Sequence, residues 1–127
     1  MSEDNNLWGD LSTLKMIRTP KTILAEQADF LNQATGGVIR AQVSSTQSGA
    51  NLSYNLVIVA PVLSNYSYSV CAVSHDINVY PCKLYSYATN SWQDCEHEQD
   101  LKEKLAVILR GDKTRRVIES LLSQSQA

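Results

Sequence analysis

Ser74-His75-Asp76 sets a hydroxyl, an imidazole and a carboxylate at three consecutive positions, the groups that perform acyl transfer when they converge in space. Neighbours along an extended chain point to opposite faces, so this string cannot assemble that geometry alone. The plainer expectation is a turn in which Asp76 accepts from local backbone. Cys95-Glu96-His97-Glu98 holds metal-capable groups at four successive positions. On a helix such neighbours fan out around the axis, whereas residues three or four apart share a face. His97 has no second histidine nearby, and an acidic first turn suits a helix dipole without any ion. No metal, cofactor or catalytic residue is therefore expected.

The three cysteines, Cys71, Cys82 and Cys95, are an odd set without tight spacing. They read as reduced, buried thiols, with Cys71 set amid Val70 and Val73. Lys102-Glu103-Lys104 falls on an expected helix instead of the strand a nuclease signature would need. Gly36-Gly37 closes a helix, where a phosphate-cradling loop would open one. A small-molecule or enzymatic site would have to form around His75 and Cys82.

Two other groups of residues suggest binding. Arg110, Lys113, Arg115 and Arg116 cluster around the start of the last helix. With tyrosines nearby they could hold single-stranded RNA by stacking and phosphate contacts, although a solvated helix face explains them more simply. Tyr66 and Tyr68 share one face of a strand, and Tyr85 and Tyr87 one face of the next. Paired strands would join them in an aromatic cluster, unless a helix covers them. Only three charged side chains, Arg40, Asp76 and Lys83, fall between Gly36 and Thr89, a stretch that holds all six tyrosines. A wet sheet face normally recruits charge to keep its edges from pairing with strangers. A polar face that avoids charge reads as a surface meant to be covered.

The elements that position these groups are legible in the periodicities. Leu7, Trp8, Leu11, Leu14 and Ile17 recur at helical spacing, predicting a short first helix with Trp8 as its anchor. Thr19-Pro20 opens a second helix, about Pro20 to Thr35, on the stripe Ile23, Leu24, Ala28 and Leu31. Gly36-Gly37 supplies its left-handed stop. Period-two patterning then predicts strands over Val38 to Thr46, Leu52 to Ala60, Tyr66 to Ser74 and Ile77 to Tyr87, with a hairpin turn at Gln47 to Asn51. Pro81 marks a bulge or an edge. Ser91-Trp92-Gln93-Asp94 resembles a cap opening a third helix, on Leu101, Leu105, Ile108 and Leu109. Gly111-Asp112 divides it from a fourth, on Val117, Ile118, Leu121 and Leu122. The expected fold is α+β: two N-terminal helices, a four-stranded mostly antiparallel sheet and two C-terminal helices. All 127 residues form one domain, with residues 1–6 and 123–127 as disordered tails.

Trp8, Ile17-Arg18-Thr19-Pro20, Ile23-Leu24-Ala25-Glu26-Gln27-Ala28 and the strand ending in Tyr80-Pro81 resemble a group of small uncharacterised bacterial single-domain proteins. The resemblance implies a bacterial, cytosolic, single-domain protein and carries over no functional residue.

A formal net charge of −2 argues against a protein that coats nucleic acid or an anionic membrane. The acidic start and the lack of a long apolar run predict neither a secretory signal nor a membrane span, hence a cytoplasmic protein. The expected function is non-catalytic protein binding through the charge-poor, tyrosine-rich sheet, in an inhibitor, immunity or adaptor role. The partner is another protein or a second copy in a homodimer. Asp94, Glu96, Glu98 and Asp100 form a further contact that would steer a basic partner. RNA binding through the basic cluster is the second expectation.

Overall fold

The computed structural model describes residues 5–126. Thr19 caps the first helix, its hydroxyl accepting the Thr22 N–H at 3.2 Å, and Pro20 sits where no N–H is needed. This helix, α1 (Pro20–Ala34), buries Ile23, Leu24 and Ala28. Gly36 and Gly37 both take positive φ beyond it, and the Asn32 side chain accepts the Ala41 N–H at 2.8 Å. That bond ties the end of the helix to the first strand.

Five strands follow: β1 (Arg40–Ser48), β2 (Asn51–Ala60), β3 (Tyr66–His75), β4 (Cys82–Ser86) and β5 (Ser91–Cys95). They pair in chain order as one antiparallel meander. Gly49 and Ala50 form the expected hairpin turn between β1 and β2, with Gly49 at a φ of 59°. The chain ends in α2 (Glu98–Leu109) and α3 (Asp112–Ser125). Helix α1 lies on β1 and β2, and α2 on β3 to β5. Alternate residues of each strand point into the core that the helices cover, among them Leu56, Ile58, Val73 and Leu84. The remaining residues form a second sheet face without helices.

One irregularity decides which side chains share a face. Between β2 and β3 the register shifts at Leu56/Val57, so that Leu56 opposes Cys71, Val57 opposes Ser69 and Val70 has no partner. This β-bulge inverts the alternation along β3. Tyr66 and Tyr68 oppose the buried Ala60 and Ile58 and turn toward the helices, as do Cys71, Val73 and His75 on the other side of the bulge.

The architecture corrects the expected one: a single N-terminal helix, five strands and two C-terminal helices replace two helices, four strands and two helices. The stripe from Leu7 to Ile17 yields only a three-residue 3₁₀ turn, Leu11–Thr13. Gly9 interrupts it at a φ of 78°, and the Asp10 carboxylate accepts the Ser12 N–H at 3.0 Å. So short a helix with no surface to bury its stripe does not propagate. Trp8 is 82% exposed and anchors nothing. The string Ser91 to Asp94 is strand β5, because its backbone pairs with β4, and α2 opens later on a cap from His97. The last expected strand shrinks to Cys82–Ser86. Ahead of it the Asp76 carboxylate accepts the Asn78 N–H at 2.8 Å, Val79 takes a φ of 73° and Tyr80-Pro81 is cis. At the carboxyl end α3 continues to Ser125, into the expected tail. Residues 1–4 of the other expected tail lie outside the described residues.

Candidate functional site on the uncovered sheet face

The uncovered face is built in rows by the strand register. One row crosses all five strands through Ser44, Asn55, Ala72, Tyr85 and Trp92. The next runs through Thr46, Ser53, Ser74, Lys83 and Asp94. Toward the other end, Gln42 opposes Val57, which opposes Ser69. Formal charge is thus confined to the margins, with Arg40 at one end and Lys83 and Asp94 at the other. The centre offers hydroxyls, amides, small apolar groups and aromatic rings.

Those rings form a connected cluster. Tyr85 meets Tyr87 edge-on at a centroid distance of 4.9 Å, and meets Trp92 tilted at 4.9 Å. Such geometries place the positive ring edge against a negative face. The Tyr85 hydroxyl donates to the Asn90 side chain, and the Tyr87 hydroxyl donates to the Asn55 side chain at 3.2 Å. Tyr87 and Trp92 remain 42% and 56% exposed. The rings are therefore held in place while their faces stay available, which lowers the entropic cost of covering them.

Tyr66 and Tyr68 are elsewhere. The bulge puts them beside α3, where they line a groove of about 430 Å³ with Leu63, Lys113, Arg116 and Val117. The four expected tyrosines therefore split into two pairs on opposite sides of the sheet. The basic cluster splits as well: Lys113 and Arg116 line this groove, while Arg110 caps α2 and Arg115 does not line it.

The acidic residues divide by how far they are already engaged. Glu98 pairs with Lys102 at 2.8 Å and faces Arg18 at 3.6 Å. Asp100 accepts the Glu96 N–H at 2.9 Å and pairs with Lys104 at 3.3 Å. The bond from the Glu96 backbone, helped by Lys104, holds the Asp100 carboxyl below the usual carboxylate range. Asp94 and Glu96 are exposed and carry no salt bridge among the described residues.

Ser74, His75 and Asp76 do not converge. Ser74 lies on the uncovered face, opposite Ser53, while the Asp76 carboxylate bonds backbone. His75 is buried with Nδ1 2.6 Å from the Asp76 carbonyl oxygen, its ring 5.5 Å from that of Tyr54 and Nε2 without a hydrogen-bond partner. The imidazole of His97 accepts the Asp100 N–H at 3.2 Å and caps α2. Among the described residues no three His, Cys, Asp or Glu side chains converge as a metal set.

Trp92 was hidden from sequence reasoning by the helix-cap appearance of Ser91 to Asp94. Its usable signal was the alternation of Trp92 and Asp94 with Gln93 and Cys95. No helix among the described residues is long and apolar enough to cross a membrane. The chain matches no family model, no curated protein and no solved structure.

Proposed function

We propose that this protein is a non-catalytic binding module that takes another protein on its uncovered sheet face. The observation that carries the reading is the preorganised cluster of Tyr85, Tyr87 and Trp92 on the β4–β5 side of a face with charge only at its margins. Interface cores are depleted in charge and enriched in tyrosine and tryptophan, and a few such rings carry most of the binding energy. Asp94 and Glu96, at the end of the edge strand β5, supply negative charge next to this cluster and suit a partner with a basic rim. Glu98 and Asp100 are engaged within the chain and contribute less. An inhibitor, immunity or adaptor role fits such a surface. Self-association through the outer edge of β1 belongs to the same class, and would register as a dimer by sedimentation.

The test is capture from native host lysate at physiological salt, with wild type compared with a Tyr85→Ala/Trp92→Ala variant checked for folding by circular dichroism. A Lys113→Glu/Arg116→Glu variant serves as the control on the helical side. A stoichiometric protein lost only with the aromatic variant supports the reading; its retention by that variant overturns it.

RNA binding keeps one specific observation in its favour, the convergence of Tyr66 and Tyr68 with Lys113 and Arg116 on one groove. Stacking rings beside cations suit single-stranded RNA. Recovery of RNA that weakens steeply with salt, and is lost with Lys113→Glu/Arg116→Glu, favours that second reading.

A further inference from the structure

Cys82 and Cys95 are Cα partners in the β4–β5 ladder, so their side chains leave adjacent strands side by side. Directly opposed antiparallel residues have Cα atoms roughly 4.5 or 5.5 Å apart depending on the pair type, and both separations fall within the roughly 4.4–6.8 Å that a disulfide spans. Each thiol lies close enough to the other to perturb its ionisation. Both are reduced and covered, at 2% and 0% exposure. The third thiol, Cys71, opposes Leu56 and Ser86 and faces no other cysteine. A pair of thiols so placed meets the Cα separation that a disulfide requires.

We infer that Cys82 and Cys95 form a redox-sensitive dithiol, which a low-molecular-weight disulfide such as oxidised glutathione converts to a cross-strand disulfide. Burial raises both thiols above their ordinary value. Lys104, which donates to the Asp94 carbonyl beside Cys95, offsets part of that rise at Cys95, so this sulfur is the one to attack once β5 opens and admits water. Cys95 gives up its proton and attacks one sulfur of the oxidant. The oxidant's S–S bond breaks, and its other half leaves and takes up a proton. Cys82, deprotonated in turn, attacks the Cys95 sulfur of the mixed disulfide and displaces the second small thiol. The protein loses two hydrogens, and one disulfide becomes two thiols. Entry is by way of β5, five residues long and paired on one side only. A short edge strand opens at lower cost than a central one.

The experiment incubates the intact, reduced protein with oxidised glutathione under native conditions, then unfolds, alkylates and maps it by mass spectrometry. The expected result is one alkylated cysteine, Cys71, and a peptide cross-link between Cys82 and Cys95 that dithiothreitol reverses. The closed loop raises Tm by roughly 5–15 °C. A Cys71→Ala variant gives the same cross-link. Three alkylated thiols, a glutathione adduct that does not resolve, or a bridge that involves Cys71 would overturn the assignment.

Discussion

Tyr87 bonds Asn55 across a strand to which neither belongs. The tyrosine follows β4 and the asparagine is on β2, yet the hydroxyl donates to the amide oxygen at 3.2 Å over β3. Ala72 makes this possible, for it is the Cα partner of both Asn55 and Tyr85, and its methyl leaves the ring room to lie across. The bond ties the aromatic cluster to the centre of the sheet. Removing the hydroxyl in Tyr87→Phe leaves a partly exposed Asn55 that water can satisfy, so the loss is no more than about 1 kcal/mol in urea denaturation. A larger loss would mean that the bond supports the sheet as well as the cluster.

Leu84 and Trp8 give opposite expectations from similarly apolar side chains. Leu84 is fully covered in the centre of β4, and Leu84→Ala costs about 2–5 kcal/mol through lost transfer energy and the cavity left behind. Trp8 has nothing packed over it, so Trp8→Ala changes stability by less than about 0.5 kcal/mol. Chemical denaturation of both variants checks the pair. A marked loss on Trp8→Ala would mean that the amino-terminal arm packs against the body in solution.

Local chemistry was readable in the sequence where it decides local structure. Thr19-Pro20 caps a helix in any context, and Gly36-Gly37 and Gly49 supply positive φ wherever a turn needs it. The errors arise where a distant partner decides. Ser91 to Asp94 carries capping residues, but the free edge of β4 draws it into a ladder, and tertiary pairing outweighs a local preference. That misplaced strand concealed Trp92 from the site and the Cys82–Cys95 pairing from the cysteine reading. The extra residue at Val70 leaves no mark on composition, yet it sends Tyr66 and Tyr68 to the helical side and separates them from Tyr85 and Tyr87. The amino-terminal stripe failed for the opposite reason. Its period is helical, but Gly9 and the Asp10–Ser12 bond favour a turn, and no neighbouring surface compensates.

The cap of α2 predicts a response to acid. Asp100 accepts the Glu96 N–H and pairs with Lys104, and its carboxyl titrates below the ordinary value of 3.8. A lowered folded value means that the unfolded chain binds this proton more readily. The stabilisation is therefore present above the ordinary value and lost as pH falls through the lowered one. Asp100→Asn should flatten the acid limb of the stability profile, whereas Lys104→Met should flatten it only in part, because the backbone bond is the larger cause. Equal flattening by the two variants would assign the effect to the ion pair.

Alkaline pH acts on the core through Cys71. Burial alone pushes this thiol from an ordinary value of 9.0 up to about 12, since a thiolate could not be solvated among Val70, Val73 and Leu56. Above the ordinary value the unfolded chain releases the proton while the folded chain retains it. The folded state then binds more protons, and stability falls with rising pH between those two values. Cys82 and Tyr80 are raised to about 12 as well and contribute in the same direction. Cys71→Ala should remove one share of the alkaline fall, leaving the rest, and cost about 1 kcal/mol at neutral pH for the sulfur it deletes. Urea titrations from neutral pH to pH 11, with reductant present to keep Cys82 and Cys95 as thiols, provide the comparison. Parallel profiles for wild type and variant would show that Cys71 ionises equally in both states, which a sulfur at 0% exposure could do only if the core opens before the thiol titrates.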